Sequence, residues 1–283
     1  MPDCAIIDAH VHLYDPQAIA YPWMEAVPLL NKKHGFDEFT RAAAGLPIEG
    51  LVFVEVDAAD GRHLDESRWV ERHGLDNPLL KGMVGTMPLE RGHAIEGDLA
   101  SFAALPHARG IRRLIQDRPL GWALQPLFVD GVRLLARFGL PFDLCIRHRQ
   151  LDDALALVRA CPEVRFVLDH LGKPGIKDRL KEPWDSRIRQ LGREPNVWCK
   201  VSGAVTEADH SAWSVDDLRP YVAHAIDCFG FDRCMFGGDW PVSRLATSYS
   251  GWVEALDDIV SGASPADIRD LYGDTARRFY GLA

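Results

Sequence analysis

The chain has 283 residues, 47% of them hydrophobic and 26% charged, a globular balance that excludes intrinsic disorder, collagen-like repeats and long coiled coils. Its 32 basic and 41 acidic residues leave a net charge of -9. Most of the surface therefore repels a polyanion, which excludes nucleic acid as a partner. No apolar run reaches the roughly 20 residues that cross a bilayer. The opening MPDCAIIDAHVHL lacks a basic lead-in and is interrupted by aspartates, unlike a secretory signal. The six cysteines form no C-x-x-C pair, so buried, reduced thiols and a cytoplasmic setting are expected.

In chain order, CAIIDAH reads as the first strand and is followed by a long connection over residues 14–35. GLVFVEV is the second strand, with helical periodicity over 64–73; KGMVGT is the third, with a helix over 95–103. GIRRLI precedes a helix over 127–138, and PFDLCI one over 151–160. VRFVLDH leads through a long connection, 172–183, into a helix over 186–191. NVWCKVS does the same through 203–214 into a helix over 215–229. RCMFGG is the eighth strand. Two closing helices are signalled by Ser264-Pro265, with Asp267 in the first turn, and by Asp274 before TARRFYG.

Apolar, β-branched strands alternating eight times with helices predict a parallel sheet closed as a (β/α)₈ barrel, one domain over residues 1–283. An open doubly wound sheet is the competing arrangement, but no G-x-G-x-x-G follows the first strand. All three long connections follow strands, which places them on the C-terminal face, where barrels build active sites.

His10 and His12 are two apart on the first strand and so share a face. An H-x-H pair alone is as often structural as ligating. Its weight comes from polar side chains at other strand ends: Glu55, His148, His170 and Asp239. A barrel gathers these ends around one point. Imidazole and carboxylate suit zinc and similar divalent ions, which makes His10, His12, Glu55, His170 and Asp239 candidate ligands. Asp239 is also a candidate general base, with His170 and His148 as further catalytic groups. Two of them have a plainer alternative: Glu55 paired with Arg112 or Lys200, and His148 facing solvent while Arg147 faces inward. Candidate substrate contacts are Trp23, beside Tyr21 and Met24 in the first long loop, with Arg112, Gln116, Lys200 and Trp240. Trp23 and its neighbours could equally serve only to pack that loop.

The order D-A-H-V-H, VLDHLGKP and FGGDWP, with YPWM, GIRRLIQD, DLCIRHRQL and VWCKVSGAVTEAD between, resembles the amidohydrolase superfamily. Within it, the chain is similar to the amidohydrolase-2 branch of sugar lactonases, the L-fuconolactonase and L-rhamnonolactonase type. The resemblance implies a distorted TIM barrel that opens an aldonolactone to its acid: L-fucono-1,5-lactone or a related L-galactono- or L-rhamnono-type lactone. It also implies that His10, His12, His170 and Asp239 form the catalytic centre. Ile115-Gln116 stand where the larger superfamily places a metal-bridging lysine, so one divalent ion, zinc first, is expected. The branch includes members that work without metal, which leaves the ion's need in turnover open, with a histidine as the other electrophile. The rival within the branch is a metal-dependent decarboxylase of a small unsaturated or aromatic acid. The expected partner is a small sugar lactone, with no nucleic acid and no membrane; assembly as a homo-oligomer stays open.

Overall fold

All eight expected strands form in the computed structural model, which describes residues 2–283. They are β1 (Ile6–Val11), β2 (Ile48–Val54), β3 (Leu80–Thr86), β4 (Ala108–Arg112), β5 (Phe142–Leu144), β6 (Phe166–Leu168), β7 (Val197–Val201) and β8 (Cys234–Phe236). Each is parallel to the next, in the order β1 through β8. The last seam closes beyond the end of β8. There the His12 N–H donates to the Trp240 carbonyl at 2.8 Å and the Asp239 N–H to the His10 carbonyl at 2.9 Å. The result is a distorted (β/α)₈ barrel, as the alternation predicts.

The surrounding helices are α1 (Phe36–Ala42), α2 (His63–Gly74), α3 (Glu96–Ala103), α4 (Pro126–Leu134), α5 (Leu151–Ala160), α6 (Trp184–Leu191), α7 (Ala204–Glu207), α8 (Val215–Phe229) and α9 (Tyr249–Ile259). Their inner faces follow helical periodicity; α8, for example, buries Leu218, Tyr221, Val222, Ala225, Ile226 and Phe229. Three helices go beyond the sequence reading: α1, α7, which sits in the connection over 203–214, and α9. The last carries an ordinary start signal, Ser248 Oγ accepting from the Gly251 N–H at 3.0 Å. The two closing helices, α10 (Pro265–Arg269) and α11 (Thr275–Tyr280), run on through a π-turn at Asp270–Asp274 with no fresh start at Asp274. Among the described residues, no helix is long and apolar enough to cross a membrane.

One apolar core fills the space between strands and helices, and a second lies inside the barrel. The inner one joins Ile7, Ala9, Val52, Val54, Val84, Val167 and Met235 to Ala276, Phe279 and Tyr280 of α11. Arg165, just before β6, donates to the Phe279 carbonyl at 2.6 Å, so α11 covers the N-terminal end of the barrel. The opposite end stays open as a cavity.

A bulge in β1 sets the site's orientation. Asp8 pairs with Leu51 and Val11 with Phe53, so Ala9 and His10 together face Val52 alone. His10 and His12 both turn inward. Asp8, which plain alternation would place beside His10, turns outward instead and accepts from Tyr249 Oη of α9 at 2.8 Å. Its other oxygen accepts from the Gly238 and His10 N–H groups at 2.8 and 2.9 Å. Burial pushes Asp8 up to about 7 against these donors. Gly238 is required here, since a Cβ would strike the Tyr249 ring and the Asp8 carboxylate.

Candidate active site

A cavity of about 290 Å³ opens among the strand C-termini, and its lining includes His12, Trp23, Arg112, Gln116, His170 and Asp239. Asp239 has φ of 49°, a left-handed conformation that a non-glycine residue adopts at a cost of about 1–3 kcal/mol. Gly237 and Gly238 before it and Pro241 after it shape this turn. Imidazoles crowd one carboxylate oxygen: Asp239 Oδ1 lies 3.5 Å from His12 Nε2, 3.8 Å from His10 Nε2 and 3.9 Å from His170 Nε2.

His170 stands two residues past β6. It too is left-handed, φ 54°, and Leu171 and Lys173 follow it at 56° and 49°. Its Nδ1 is 2.9 Å from Ser202 Oγ. Gly203 keeps space for the ring, since a Cβ there would lie 2.6 Å from Nδ1. His12 Nδ1 is 2.8 Å from the Val54 carbonyl. That nitrogen carries the hydrogen, so in the neutral ring Nε2 presents a lone pair to Asp239. A lone pair facing a carboxylate in a buried gap calls for a proton or a cation between them.

Burial lowers His10 well below the usual imidazole range, the pull of Asp169 notwithstanding, and brings His170 down to about 4 despite Asp239 and Asp169. Both rings are neutral at pH 7. Burial acts against ionisation of Asp239, but His170, His12 and His10 outweigh it and hold the carboxyl well below its usual range. The ligand atoms of His10, His170 and Asp239 all lie within 4.8 Å of one another. Buried imidazoles with a carboxylate are a donor set that fits a divalent ion of the zinc type. Cys145, Asp169 and His170 also cluster. That group fits a metal poorly, because burial pushes the Cys145 thiol up to about 11 and Asp169 is committed to cations.

Those cations belong to a charged network inside the barrel. Arg112 Nε pairs with Glu55 Oε1 at 2.6 Å and Nη1 with Asp169 Oδ2 at 3.4 Å. Lys200 Nζ lies 2.5 Å from Asp143 Oδ2 and 3.1 Å from Asp169 Oδ1. Tyr280 Oη donates to Asp143 Oδ2 at 2.9 Å. His10 is held in the middle, its Nδ1 3.4 Å from Asp169 Oδ1 and its Nε2 3.3 Å from Arg112 Nη1.

The other sequence candidates fall in several places. Glu55 has both oxygens engaged, by Arg112 and by the Asp57 N–H at 2.7 Å. Gln116 lines the cavity and accepts from Lys173 Nζ. Trp23 lines it too and donates Nε1–H to the Val56 carbonyl at 2.8 Å, whereas Tyr21 and Met24 pack the loop. Lys200 is fully buried within the network. Trp240 packs behind the wall against His34 and Phe39. His148 is half-buried, with Nδ1 3.0 Å from the Lys173 carbonyl, and Arg147 reaches out to Asp117. Asp169, Asp143 and Ser202 went unremarked in the sequence. Asp169 was legible in principle, since it continues by period two the inward row that contains Val167.

A sequence profile of the amidohydrolase family matches residues 7–282. The chain belongs to the amidohydrolase family. The L-fucono-1,5-lactonase of Burkholderia multivorans is 31% identical to it, over 98% of this chain and 96% of its own. The L-rhamnono-gamma-lactonase of Scheffersomyces stipitis is 25% identical, over 98% of both chains. An amidohydrolase from Burkholderia multivorans, solved with bound zinc, superposes on this amidohydrolase fold with a TM-score of 0.89 at 29% identity, covering 99% of this chain and 100% of that one.

Proposed function

We propose that this amidohydrolase opens a small sugar aldonolactone of the L-fucono-, L-galactono- or L-rhamnono-type to its aldonic acid, as one domain over residues 1–283. The observation that carries the reading is the Asp239 carboxylate held among the His10, His12 and His170 imidazoles on the wall of a cavity large enough for one sugar ring. Asp239 takes a proton from water as the water oxygen bonds to the lactone carbonyl carbon. The ring C–O bond then breaks, and the proton on Asp239 passes to the departing alkoxide. Arg112 and Gln116, in the same wall, offer donors to the ring hydroxyls and to the new carboxylate.

His10, His170 and Asp239, with His12 alongside, would hold one divalent ion, zinc first. When bound, the ion supplies a Lewis acid for the lactone carbonyl. Val54 and Ser202 fix the faces that His12 and His170 present to it. His148, tied to Lys173 outside the cavity, takes no part in the proposed reaction.

A panel of aldonolactones assayed with a pH indicator tests the proposal, alongside elemental analysis of the purified protein. Acid release above the spontaneous rate, with up to one divalent ion per chain, is expected. Two ions per chain would overturn the single-ion reading. Carbon dioxide released from an unsaturated or aromatic acid, with no lactone opened, would make the enzyme a decarboxylase.

A further inference from the structure

Behind the Asp239–Trp240 turn lies a second cleft of about 580 Å³, walled by Lys32, Lys33, Arg41, Arg244, His34 and Trp240. On a chain of net charge -9, four cations meet here against one carboxylate, Glu38. Arg41 pairs with Glu38 at 2.6 Å, and the other Glu38 oxygen accepts from the Gly35 N–H. Lys32, Lys33 and Arg244 make no ion pair among the described residues. His34 and Trp240 are each 1% exposed; Trp240 Nε1 has no hydrogen-bond partner, and the His34 ring has no better one than the Leu29 backbone. Buried polar atoms without partners are uncommon, and each calls for an explanation. Burial, reinforced by the nearby Arg244 and Lys32 charges, brings His34 down to about 4. The neutral ring therefore keeps one N–H to donate.

We infer that this cleft is a binding site for a small oxyanion, a phosphate or carboxylate group, held by Arg244 and Lys32 at the rim and by the His34 and Trp240 N–H groups below. Buried neutral donors beneath converging cations match the charge and acceptor oxygens of such a ligand. The site lies one layer of chain from the catalytic cavity. Tyr14 faces that cavity and bonds back to back with His34, their N–H groups and carbonyls exchanging bonds at 2.8 and 2.9 Å. The turn Val242–Leu245 divides in the same way, Val242 and Leu245 toward the catalytic cavity and Arg244 toward the cleft.

Calorimetric titration of the full chain with inorganic phosphate and, separately, with sodium gluconate tests this, with ionic strength held constant by chloride. One saturable site per chain is expected for at least one probe. Arg244→Gln and Lys32→Gln, both exposed substitutions, should each weaken that binding about tenfold, as loss of a hydrogen bond to a charged group does. Arg137→Gln, an exposed arginine paired with Glu96 elsewhere, should leave it unchanged. Phosphate binding alone assigns the site to phosphate esters, and gluconate alone to sugar acids. Absence of saturable binding by either probe overturns the inference, as does equal weakening in Arg137→Gln. Gluconate binding that survives Arg244→Gln intact belongs to the catalytic cavity and also counts against it.

Discussion

The barrel interior has two parts with opposite energetics. In the apolar part, Ile7, Val52, Val54, Val84, Val167 and Met235 pack on Phe279. Each large side chain buried there contributes about 1.5–3 kcal/mol. In the charged part, Arg112, Lys200, Glu55, Asp143 and Asp169 are buried as deeply. Desolvation of such ions offsets most of their mutual attraction, so the ion pairs add little net stability. They fix geometry instead: His10 is located by Arg112, Lys200 and Asp169 and held in the ring around Asp239. The apolar part holds the fold together, and the charged part positions His10 beside Asp239. Breaking one part should therefore not look like breaking the other.

The largest expected effect is on turnover, at the mouth of the charged part. Asp239→Asn keeps the shape but cannot take the water proton, so kcat/KM for lactone opening should fall by about 10²–10⁴ while the protein stays folded. Hydrolysis by the variant, with its metal content checked, decides this; near wild-type turnover would remove Asp239 as the base. Next comes Lys200→Met, which strips Asp143 and Asp169 of their shared cation. It should lose about 3–5 kcal/mol, read from the urea midpoint, and an unshifted midpoint would show that the network does not need its lysine. Met235→Ala, in the apolar part, should cost about 2–5 kcal/mol and leave the turnover of the folded fraction unchanged. A fall in its kcat comparable to that of Asp239→Asn would erase the division between the two parts.

The smallest effect sharpens the boundary, where Tyr280 belongs to both parts. Burial, against the pull of Lys200, raises Asp143 to about 6. A carboxyl raised above its unfolded value of about 3.9 contributes stability that is full below that value and is lost as pH rises through about 6. Tyr280 Oη favours the ionised form, so Tyr280→Phe deepens the loss on the alkaline side. The variant should be about 1 kcal/mol less stable than wild type near pH 8 and less penalised near pH 5. Urea midpoints across that range check the sign, and a gap that narrows with rising pH would refute it.

These two parts were not equally legible in the sequence. The apolar strands, their number and their order followed from composition and alternation. So did the shared face of His10 and His12, and the placement of Asp239 at a strand end. What escaped was whatever depends on a break in period two. The bulge at Ala9–His10 turns Asp8 away from the histidines, and left-handed backbone at His170 and Asp239 aims side chains that no strand parity can place. Lys200 in VWCKVSG and Trp240 beside Asp239 read as candidate substrate contacts, but neither lines the cavity. Nothing local in the sequence distinguishes a lysine clasped by two carboxylates, or an indole behind a wall, from one lining a cavity.

The outward turn of Asp8 also governs how the molecule comes to be made. Its carboxylate takes hydrogen bonds from Gly238 and Tyr249, partners 230 and 241 positions away, and the seam beside it joins His10 and His12 to Asp239 and Trp240. No nearby segment can stand in for these partners. As the chain emerges during synthesis, β1 must wait with one edge unpaired until β8 has been produced. Closure across so long a separation makes folding slow, and an open edge in the interval invites pairing with a neighbouring chain.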